Sequence, residues 1–234
     1  MVVENIKAVL FDVDDTLFDR NTAQKMTLDI IIERLPHVFD IFDTERVMNA
    51  FMESDRAVTE AYEAGAPFEG LREARSGIFL KLLDINEDVA DTITEIYVRD
   101  YPKVNASVPG AIELVKELSG RFQIGVVSNG LPDVQYQKLE SMGISSFVSC
   151  VVLSEELGIR KPDPRIFHHA AGLLQRQPSD CLYVGDSYTS DVIGAKAAGM
   201  VSCWFNKNNS SYEEKDPEPD FEISNLEELT GILL

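Results

Sequence analysis

Two aspartates directly follow the first apolar run of the chain. Ile6–Phe11 is mostly apolar and leads straight into Asp12-Val13-Asp14-Asp15-Thr16-Leu17. In open α/β sheets ligands bind at the carboxyl ends of the strands, where the chain turns and two carboxylates two residues apart can face one site. Asp12 and Asp14 are therefore candidate site residues, although an isolated Asp-x-Asp is more often a solvated loop or a helix cap.

Three further strand ends carry polar residues that suit the same site. Ser128-Asn129-Gly130 offers a hydroxyl and backbone N–H groups before a helix, which together make an anion cradle. Lys161 lies on a turn that the following proline stiffens, so its ammonium is positioned. Asp186 follows another apolar run, and Asp191 lies five residues later at the start of a helix, as a metal ligand and a helper would.

Each of these features alone has an ordinary explanation as a turn, a cap or a solvated surface charge. Their occurrence together and in this order favours a single site. A site crowded with carboxylates needs a cation before it can bind a phosphate dianion. Oxygen ligands without thiolate or imidazole suit Mg²⁺. The sequence therefore predicts Mg²⁺ as the cofactor.

The elements that must position these residues form a regular series. Five runs are mostly apolar without a regular polar alternation and are bounded by turn residues, which predicts parallel strands buried on both faces: Ile6–Phe11, Gln123–Val127, Val148–Leu153, Cys181–Val184 and Val201–Phe205. Helices between them begin after Pro109-Gly110, at Pro132 and at Arg165, and a further one is predicted to have Ser190 as its cap. The acidic stretch Glu213–Asp220 is expected at the surface, followed by a short strand (Phe221–Ile223) and a last helix.

One long segment interrupts this series. Between about Thr22 and Asn105 there is no convincing strand, and the pattern predicts helices over Ala23–Leu35, Thr44–Ala64, Leu71–Leu83 and Asp88–Tyr101. A segment of this size is too long for a loop. We therefore expect a small helical domain inserted after the first strand.

Composition excludes several classes of function. The 234 residues carry a net charge of −19, which argues against nucleic-acid polymers and anionic membranes as partners. No apolar run is long enough to span a bilayer or to form a signal peptide, so we expect a soluble, cytoplasmic protein. Cys150, Cys181 and Cys203 are expected as core residues rather than metal ligands.

With these residues in place, the chain resembles the haloacid-dehalogenase (HAD) superfamily. The matching motifs are DxDxT at Asp12, the serine at Ser128, the single lysine Lys161, and GD at Asp186 followed by Asp191. The resemblance implies an α/β Rossmannoid core, doubly wound around a parallel sheet, over residues 1–18 and 106–234, and a helical type-1 cap domain over 19–105. A weaker resemblance, in Tyr62–Phe68 and Cys203-Trp204-Phe205-Asn206, points to the branch with pyrimidine 5′-nucleotidases and acylneuraminate 9-phosphatases.

The resemblance also implies a role for each site residue. Asp12 attacks phosphorus and becomes an aspartyl phosphate, while Asp14 acts as general acid and then as general base. Mg²⁺ binds the Asp12 carboxylate, the Asp14 backbone carbonyl and the Asp186 carboxylate. The transferring oxygens are stabilised by Ser128, by the backbone N–H of Asn129 and by Lys161. Asp191 supports the site by orienting Lys161 or a metal-bound water.

Three alternatives remain open at this point. A 2-haloacid dehalogenase also uses an aspartate nucleophile but has no use for the acid at Asp14. A phosphomutase typically adds a histidine shortly after the first motif, and here the first histidine is His37. A non-catalytic phosphate-binding protein would typically have lost Asp12 or Asp14.

The expected substrate is a small-molecule phosphomonoester, and the expected assembly is a monomer or homodimer. A nucleoside 5′-monophosphate is favoured over a sugar or small-acid phosphate such as sialic-acid 9-phosphate or phosphoglycolate. The residues considered for contact with the leaving group are Phe51, Tyr62, Phe68, Arg72, Arg75, Tyr97 and Tyr101. The helical spacing of the aromatic ones is more typical of a core than of ligand contacts.

Overall fold

A computed structural model describes residues 5–213 and 216–234 of the chain. The chain forms two compact units, each taken over its described residues. The core unit comprises Met1–Arg20 and Asn105–Leu234, and the helical unit comprises Asn21–Val104. Residues 214 and 215 of the predicted surface stretch lie outside the described residues. The role of the helical unit as a cap stays a prediction.

The core unit is built on a parallel six-stranded sheet, which confirms the predicted fold class. Its strands are β1 (Ala8–Phe11), β2 (Gln123–Ser128), β3 (Val148–Leu153), β4 (Cys181–Gly185), β5 (Val201–Phe205) and β6 (Phe221–Ile223). All residues of β1 and β4 are buried. This burial is why their sequences are continuously apolar instead of alternating.

The strand order places β1 in the middle of the sheet. The order is β3-β2-β1-β4-β5-β6, and Phe11 at the end of β1 pairs with Val126 and with Val184. The direction of winding therefore reverses beside β1, between β1 and β4, as in Rossmann-type folds. The carboxyl ends of β1, β2 and β4 lie side by side at this switch point, where such folds bind ligands.

Helices connect the strands of the core unit. They are Ala111–Ser119, Pro132–Ser141, Ser154–Leu157, Pro164–Leu173, Ile193–Ala197 and Glu228–Leu233. The predicted cap at Ser190 is wrong. A π-helical turn, Tyr188–Val192, precedes Ile193–Ala197, and Ser187 caps it by accepting a hydrogen bond from the Ser190 N–H. Ser187 takes this role because it is the last extended residue, whereas Ser190 already lies inside the turn.

The helical unit contains helices Arg20–Arg34 (which begins at the last residue of the core unit), Pro36–Phe39, Thr44–Glu63, Leu71–Leu83 and Ala90–Asp100. Its aromatic residues form much of its interior. Phe51 packs edge-on against Phe79, and Tyr97 stacks on Tyr101 with the ring centroids 4.7 Å apart. Three of the five aromatic candidates for substrate contact, Phe51, Tyr97 and Tyr101, are thus core residues of this unit.

The cysteines and the hydropathy of the helices agree with a folded core. Cys181 and Cys203 are buried, Cys150 is partly buried, and all three are free thiols. Burial raises the pKa of Cys150 and of Cys181 to about 11. Within the described ranges, no helix combines the length and the apolarity that crossing a membrane requires.

Candidate active site

Asp12 extends the central strand by one residue into the switch point. Its N–H donates to the Val184 carbonyl at 2.9 Å, which continues the pairing with β4. A tight turn follows, closed by a hydrogen bond from the Asp15 N–H to the Phe18 carbonyl at 2.7 Å. Asp15 adopts the left-handed region with φ at 59°, which aspartate tolerates better than most residues. Because of this turn, Asp12 and Asp14 both lie at the carboxyl end of β1.

Lys161 joins the predicted residues from different strands. Its ammonium donates to Asp12 Oδ1 at 2.6 Å, to Asp191 Oδ1 at 2.7 Å and to the Tyr183 hydroxyl at 2.9 Å. The side chain is buried, with only 4% of the residue exposed. Although burial alone lowers it, the two carboxylates raise the pKa of Lys161, so the lysine is a permanent cation.

The backbone of Lys161 is held by Asn129. The Asn129 side chain accepts a hydrogen bond from the Lys161 N–H at 2.9 Å and donates to the Lys161 carbonyl at 3.1 Å. This contact ties the end of β2 to the lysine turn. The sequence predicted a role for the Asn129 backbone N–H only, and it gave no sign of this side-chain contact.

Asp12, Asp186 and Asp191 form a cluster of carboxylates. One oxygen from each lies within 4.8 Å of the others. Burial raises the pKa of Asp12 to about 7, with Lys161 opposing and the neighbouring carboxylates adding to the rise. Burial raises the pKa of Asp186 to about 8, with Asp12, Asp191 and Asp15 adding to the rise and Lys161 opposing it. Three carboxyl groups thus share the single ammonium of Lys161, and their crowding favours bound protons or a bound cation over three unneutralised charges.

Asp186 and Asp191 differ in how their oxygens are occupied. Asp191 accepts hydrogen bonds from Lys161 and Tyr183 on Oδ1, and from the Ser187 N–H on Oδ2 at 3.0 Å. Among the described residues, none donates a hydrogen bond to the Asp186 carboxylate, which is only partly buried. Asp186 is thus available to a cation, whereas Asp191 is committed to holding Lys161. A cluster of oxygen donors in which carboxyl groups outnumber the neighbouring ammonium fits Mg²⁺.

Asp14 does not join this cluster with its carboxylate. Its Oδ1 accepts from Lys138 Nζ at 2.5 Å, and its Oδ2 accepts from Gln135 Nε2 at 2.6 Å. Although burial alone raises it, Lys138 and Arg20 hold the pKa of Asp14 below its usual value. The predicted metal contact of Asp14 concerns its backbone carbonyl and is compatible with this side-chain arrangement.

Ser128 lies at the last position of β2, the strand that pairs with β1. Its hydroxyl accepts a hydrogen bond from the Gly130 N–H at 3.0 Å, so the backbone folds around the serine side chain. Residues 128 to 130 form the turn that the sequence predicted as an anion cradle. Phosphate binding by this turn stays a prediction.

Sequence reasoning missed three buried polar residues near the site: Gln135, Lys138 and Tyr183. Gln135 and Lys138 are one turn apart on the helix Pro132–Ser141, and that spacing was the one signal that they share a face. Tyr183 lies within an apolar strand, where an aromatic residue is ordinary. Its hydroxyl reaches Lys161, Asp191 and the Val127 carbonyl.

The fold and site together define a class of protein. A Rossmann-type sheet with a carboxylate cluster and a buried lysine at its switch point places the protein among the Rossmann-type α/β enzymes whose site lies at the carboxyl ends of the strands. A family model described as haloacid dehalogenase-like hydrolase matches residues 6–199, and the chain belongs to this family. The resemblance stated from the motifs is thereby confirmed.

Similar proteins agree with this assignment. Glyceraldehyde 3-phosphate phosphatase from Methanopyrus kandleri is 31% identical, over 97% of each chain. Pyrimidine 5′-nucleotidase YjjG from Escherichia coli is 28% identical, over 96% of each chain. The crystal structure of the HAD-hydrolase YfnB from Bacillus subtilis, bound to magnesium, superposes with a TM-score of 0.83 at 27% identity and covers 98% of this chain and 99% of that one. The present chain is a HAD-type phosphatase, that is, a phosphoric monoester hydrolase.

Proposed function

We propose that this protein is a magnesium-dependent phosphatase of small phosphomonoesters and that it works through an aspartyl-phosphate intermediate on Asp12. The observation that carries the proposal is the environment of Asp12. One oxygen of its buried carboxylate is fixed by Lys161 at 2.6 Å. None of the described residues donates a hydrogen bond to the other oxygen, which is therefore available for attack.

The metal would be held by the carboxylates of Asp12 and Asp186 and by the Asp14 backbone carbonyl. The crowding of three carboxyl groups, which raises the pKa of Asp186 in the absence of a cation, and the lack of a hydrogen-bond donor to Asp186 among the described residues support this assignment. When bound, Mg²⁺ supplies charge neutralisation and polarisation of a phosphoryl oxygen. Asp191, whose oxygens are taken by Lys161, Tyr183 and Ser187, orients Lys161 instead of binding the metal directly.

The reaction has two chemical steps. In the first, an Asp12 oxygen forms a bond to phosphorus as the bond to the leaving oxygen breaks, and the Asp14 carboxyl gives its proton to that oxygen. In the second, Asp14 takes a proton from water, the water oxygen bonds to phosphorus, and the bond to Asp12 breaks. Lys161, Ser128 and the backbone N–H of Asn129 stabilise the transferring oxygens.

Asp14 must be protonated for the first step and ionised for the second. In the free protein its pKa is lowered, mainly by Lys138 acting against burial. A bound phosphate dianion brings negative charge close to the carboxyl and raises this pKa, which favours the acid form in the enzyme–substrate complex. Departure of the alcohol and transfer of the phosphoryl group then leave Asp14 as a base.

We infer that the substrate is a nucleoside 5′-monophosphate, with pyrimidines ahead of purines. The resemblance in Tyr62–Phe68 and the similarity to the E. coli nucleotidase support this choice. A small sugar phosphate is a second candidate, because the similarity to the M. kandleri glyceraldehyde 3-phosphate phosphatase reaches 31% identity. We place this activity in the cytoplasm, on a soluble metabolite.

The test is phosphate release from a panel of phosphomonoesters in Mg²⁺ and in excess chelator. The panel contains UMP, dTMP, glyceraldehyde 3-phosphate, glycerol phosphate, phosphoglycolate and sialic-acid 9-phosphate. We expect turnover only with the metal and a higher kcat/KM for the pyrimidine nucleotides. Activity in chelator, with chloride release from 2-chloropropionate, would contradict the metal-dependent mechanism in favour of dehalogenation.

Asp12→Asn tests the nucleophile within the same assay. The amide keeps the size of the side chain but cannot attack phosphorus, so we expect turnover to fall by about 10⁴-fold or more while the fold persists. Beryllium fluoride should inhibit the native protein by mimicking the acyl phosphate. Asp29→Asn, an exposed change of the same kind in the helical unit, is the control and should leave activity unchanged. Substantial activity in Asp12→Asn would move the nucleophile elsewhere.

A further inference from the structure

Two buried polar side chains of the helix Pro132–Ser141 are directed at one carboxylate. Lys138 and Gln135 are each 1% exposed. Lys138 Nζ lies 2.5 Å from Asp14 Oδ1, and Gln135 Nε2 lies 2.6 Å from Asp14 Oδ2. Both oxygens of Asp14 are therefore fixed from the same helix, and we call Lys138 and Gln135 the Asp14 clamp.

A buried lysine carries a large desolvation cost unless it is paired. For Lys138 this cost is offset by the ion pair with Asp14 and by a cation–π contact with Phe18, whose ring centroid lies 4.5 Å from Nζ. If Lys138 only filled space in this core, the protein would be less stable with lysine at this position than with leucine or methionine. Its burial against a proposed catalytic carboxyl therefore indicates a role for the charge.

Gly130 makes room for the other half of the clamp. A Cβ added at Gly130 would lie 1.7 Å from Gln135 Nε2 and 2.6 Å from its Cδ. The glycine is thus required by the close passage of the Gln135 side chain. Any larger residue there would have to displace Gln135, and with it one of the hydrogen bonds to Asp14.

We propose that Lys138 and Gln135 are positioning residues that hold the Asp14 carboxyl in the orientation from which it passes its proton to the leaving oxygen. The inference rests on the proposed function of Asp14. The clamp does not block proton transfer, because each carboxyl oxygen has two lone-pair sites and the clamp uses one on each. The proton on Asp14 moves to the leaving oxygen as its bond to phosphorus breaks, while Lys138 and Gln135 keep their own protons.

The test compares two substrates that differ in how much they need an acid. An alkyl phosphate such as UMP releases an alkoxide unless the oxygen is protonated, whereas 2,4-dinitrophenyl phosphate releases a stable phenolate without help. Misplacement of a catalytic group by about 1 Å costs about 10²-fold. For Lys138→Met we therefore expect kcat/KM to fall about 10- to 100-fold with UMP and no more than about threefold with 2,4-dinitrophenyl phosphate.

Several variants separate positioning from simple loss of structure. Lys138→Arg retains the charge and should recover part of the activity with UMP. Lys116→Met is the matched control, because Lys116 is exposed on the helix Ala111–Ser119, and it should behave like the native protein. If Lys138→Met does not fold, Gln135→Leu disturbs the same clamp and should show the same dependence on the leaving group.

Two outcomes would overturn the inference. Equal losses with both substrates would show a structural role, and a raised KM with unchanged kcat would show direct binding of substrate by Lys138. The failure of the proposed function looks different, since the native protein would then hydrolyse neither substrate. If the native protein hydrolyses both substrates and the variants lose activity equally on both, the positioning role of the Asp14 clamp is rejected and the proposed function stands.

Discussion

Replacing Lys161 by methionine is the most direct test of the electrostatic design of this site. Methionine is close to lysine in length and packs in an apolar environment, so the change removes mainly the charge. Asp12 and Asp191 then remain buried without the ammonium that now lies 2.6 and 2.7 Å from them. The folded protein should therefore become less stable when no metal is bound.

The size of the effect follows from these distances. At an effective dielectric constant of about 20, each ion pair contributes about 6 kcal/mol of attraction, much of which offsets the desolvation of the charges. Removing one partner of a buried pair typically lowers the free energy of unfolding by about 3–5 kcal/mol. For a chain of this size, that corresponds to a decrease in Tm of about 6–20 °C.

The assay is urea unfolding and thermal unfolding in chelator and in excess Mg²⁺. Lys196→Met is the matched control, since Lys196 pairs with Asp220 at 2.9 Å but both side chains are partly exposed, and it should cost less than about 1 kcal/mol. Mg²⁺ should stabilise Lys161→Met more than the native protein, because the cation replaces part of the missing positive charge. A loss in Lys161→Met no larger than in Lys196→Met would refute this reasoning.

Three further predictions address the metal, pH and the substrate. In a Mg²⁺ titration followed by fluorescence of the single tryptophan, Asp191→Ala should weaken Mg²⁺ affinity about 10-fold, and Asp186→Ala should weaken it more. The reverse order would exchange the roles of the two residues. In chelator, the free energy of unfolding measured with urea should fall as the pH rises from about 4 to about 8. The pKa of Asp12 is raised to about 7 and that of Asp186 to about 8, so over this range the folded state keeps protons that the unfolded chain releases. Excess Mg²⁺ should flatten this slope, and a slope unaffected by Mg²⁺ would count against the assignment of the metal site. Phe68→Ala should reduce the preference for UMP over glycerol phosphate about 10-fold if Phe68 stacks on the base, whereas Phe42→Ala, which also removes a ring lying beneath an arginine, should not.

The strands were largely predictable because they are short apolar runs bounded by turn residues, and the central ones are buried on both faces. Val148–Leu153, Val201–Phe205 and Phe221–Ile223 were predicted with the bounds that the structure shows. Glycine and proline marked helix starts equally well, as at Pro109-Gly110 and at Pro132. The prediction was wrong at Ser190, since a π-helical turn has no signature in the hydrophobic pattern that distinguishes it from an α-helical one.

The site was predictable only in its list of strand-end residues. Parallel strands bring their carboxyl ends to one edge, so Asp12, Ser128 and Asp186 could be grouped without coordinates. The partners of Asp14 could not be found in this way. Lys138 lies 124 positions away in the sequence, and its helical spacing predicts a face but not what that face meets.

What the sequence by itself determined is the parallel sheet and the residue types gathered at its switch point, because both follow from local patterns of apolarity and from the geometry that every parallel sheet shares. The tertiary structure decided how the charges are divided among those residues. In the folded protein Asp191 accepts a hydrogen bond from Lys161, and Asp14 accepts one from Lys138. The Asp186 carboxylate has no hydrogen-bond donor among the described residues. Such pairings depend on distances of a few ångströms between groups remote in the chain, and electrostatic and hydrogen-bond energies change steeply over that range.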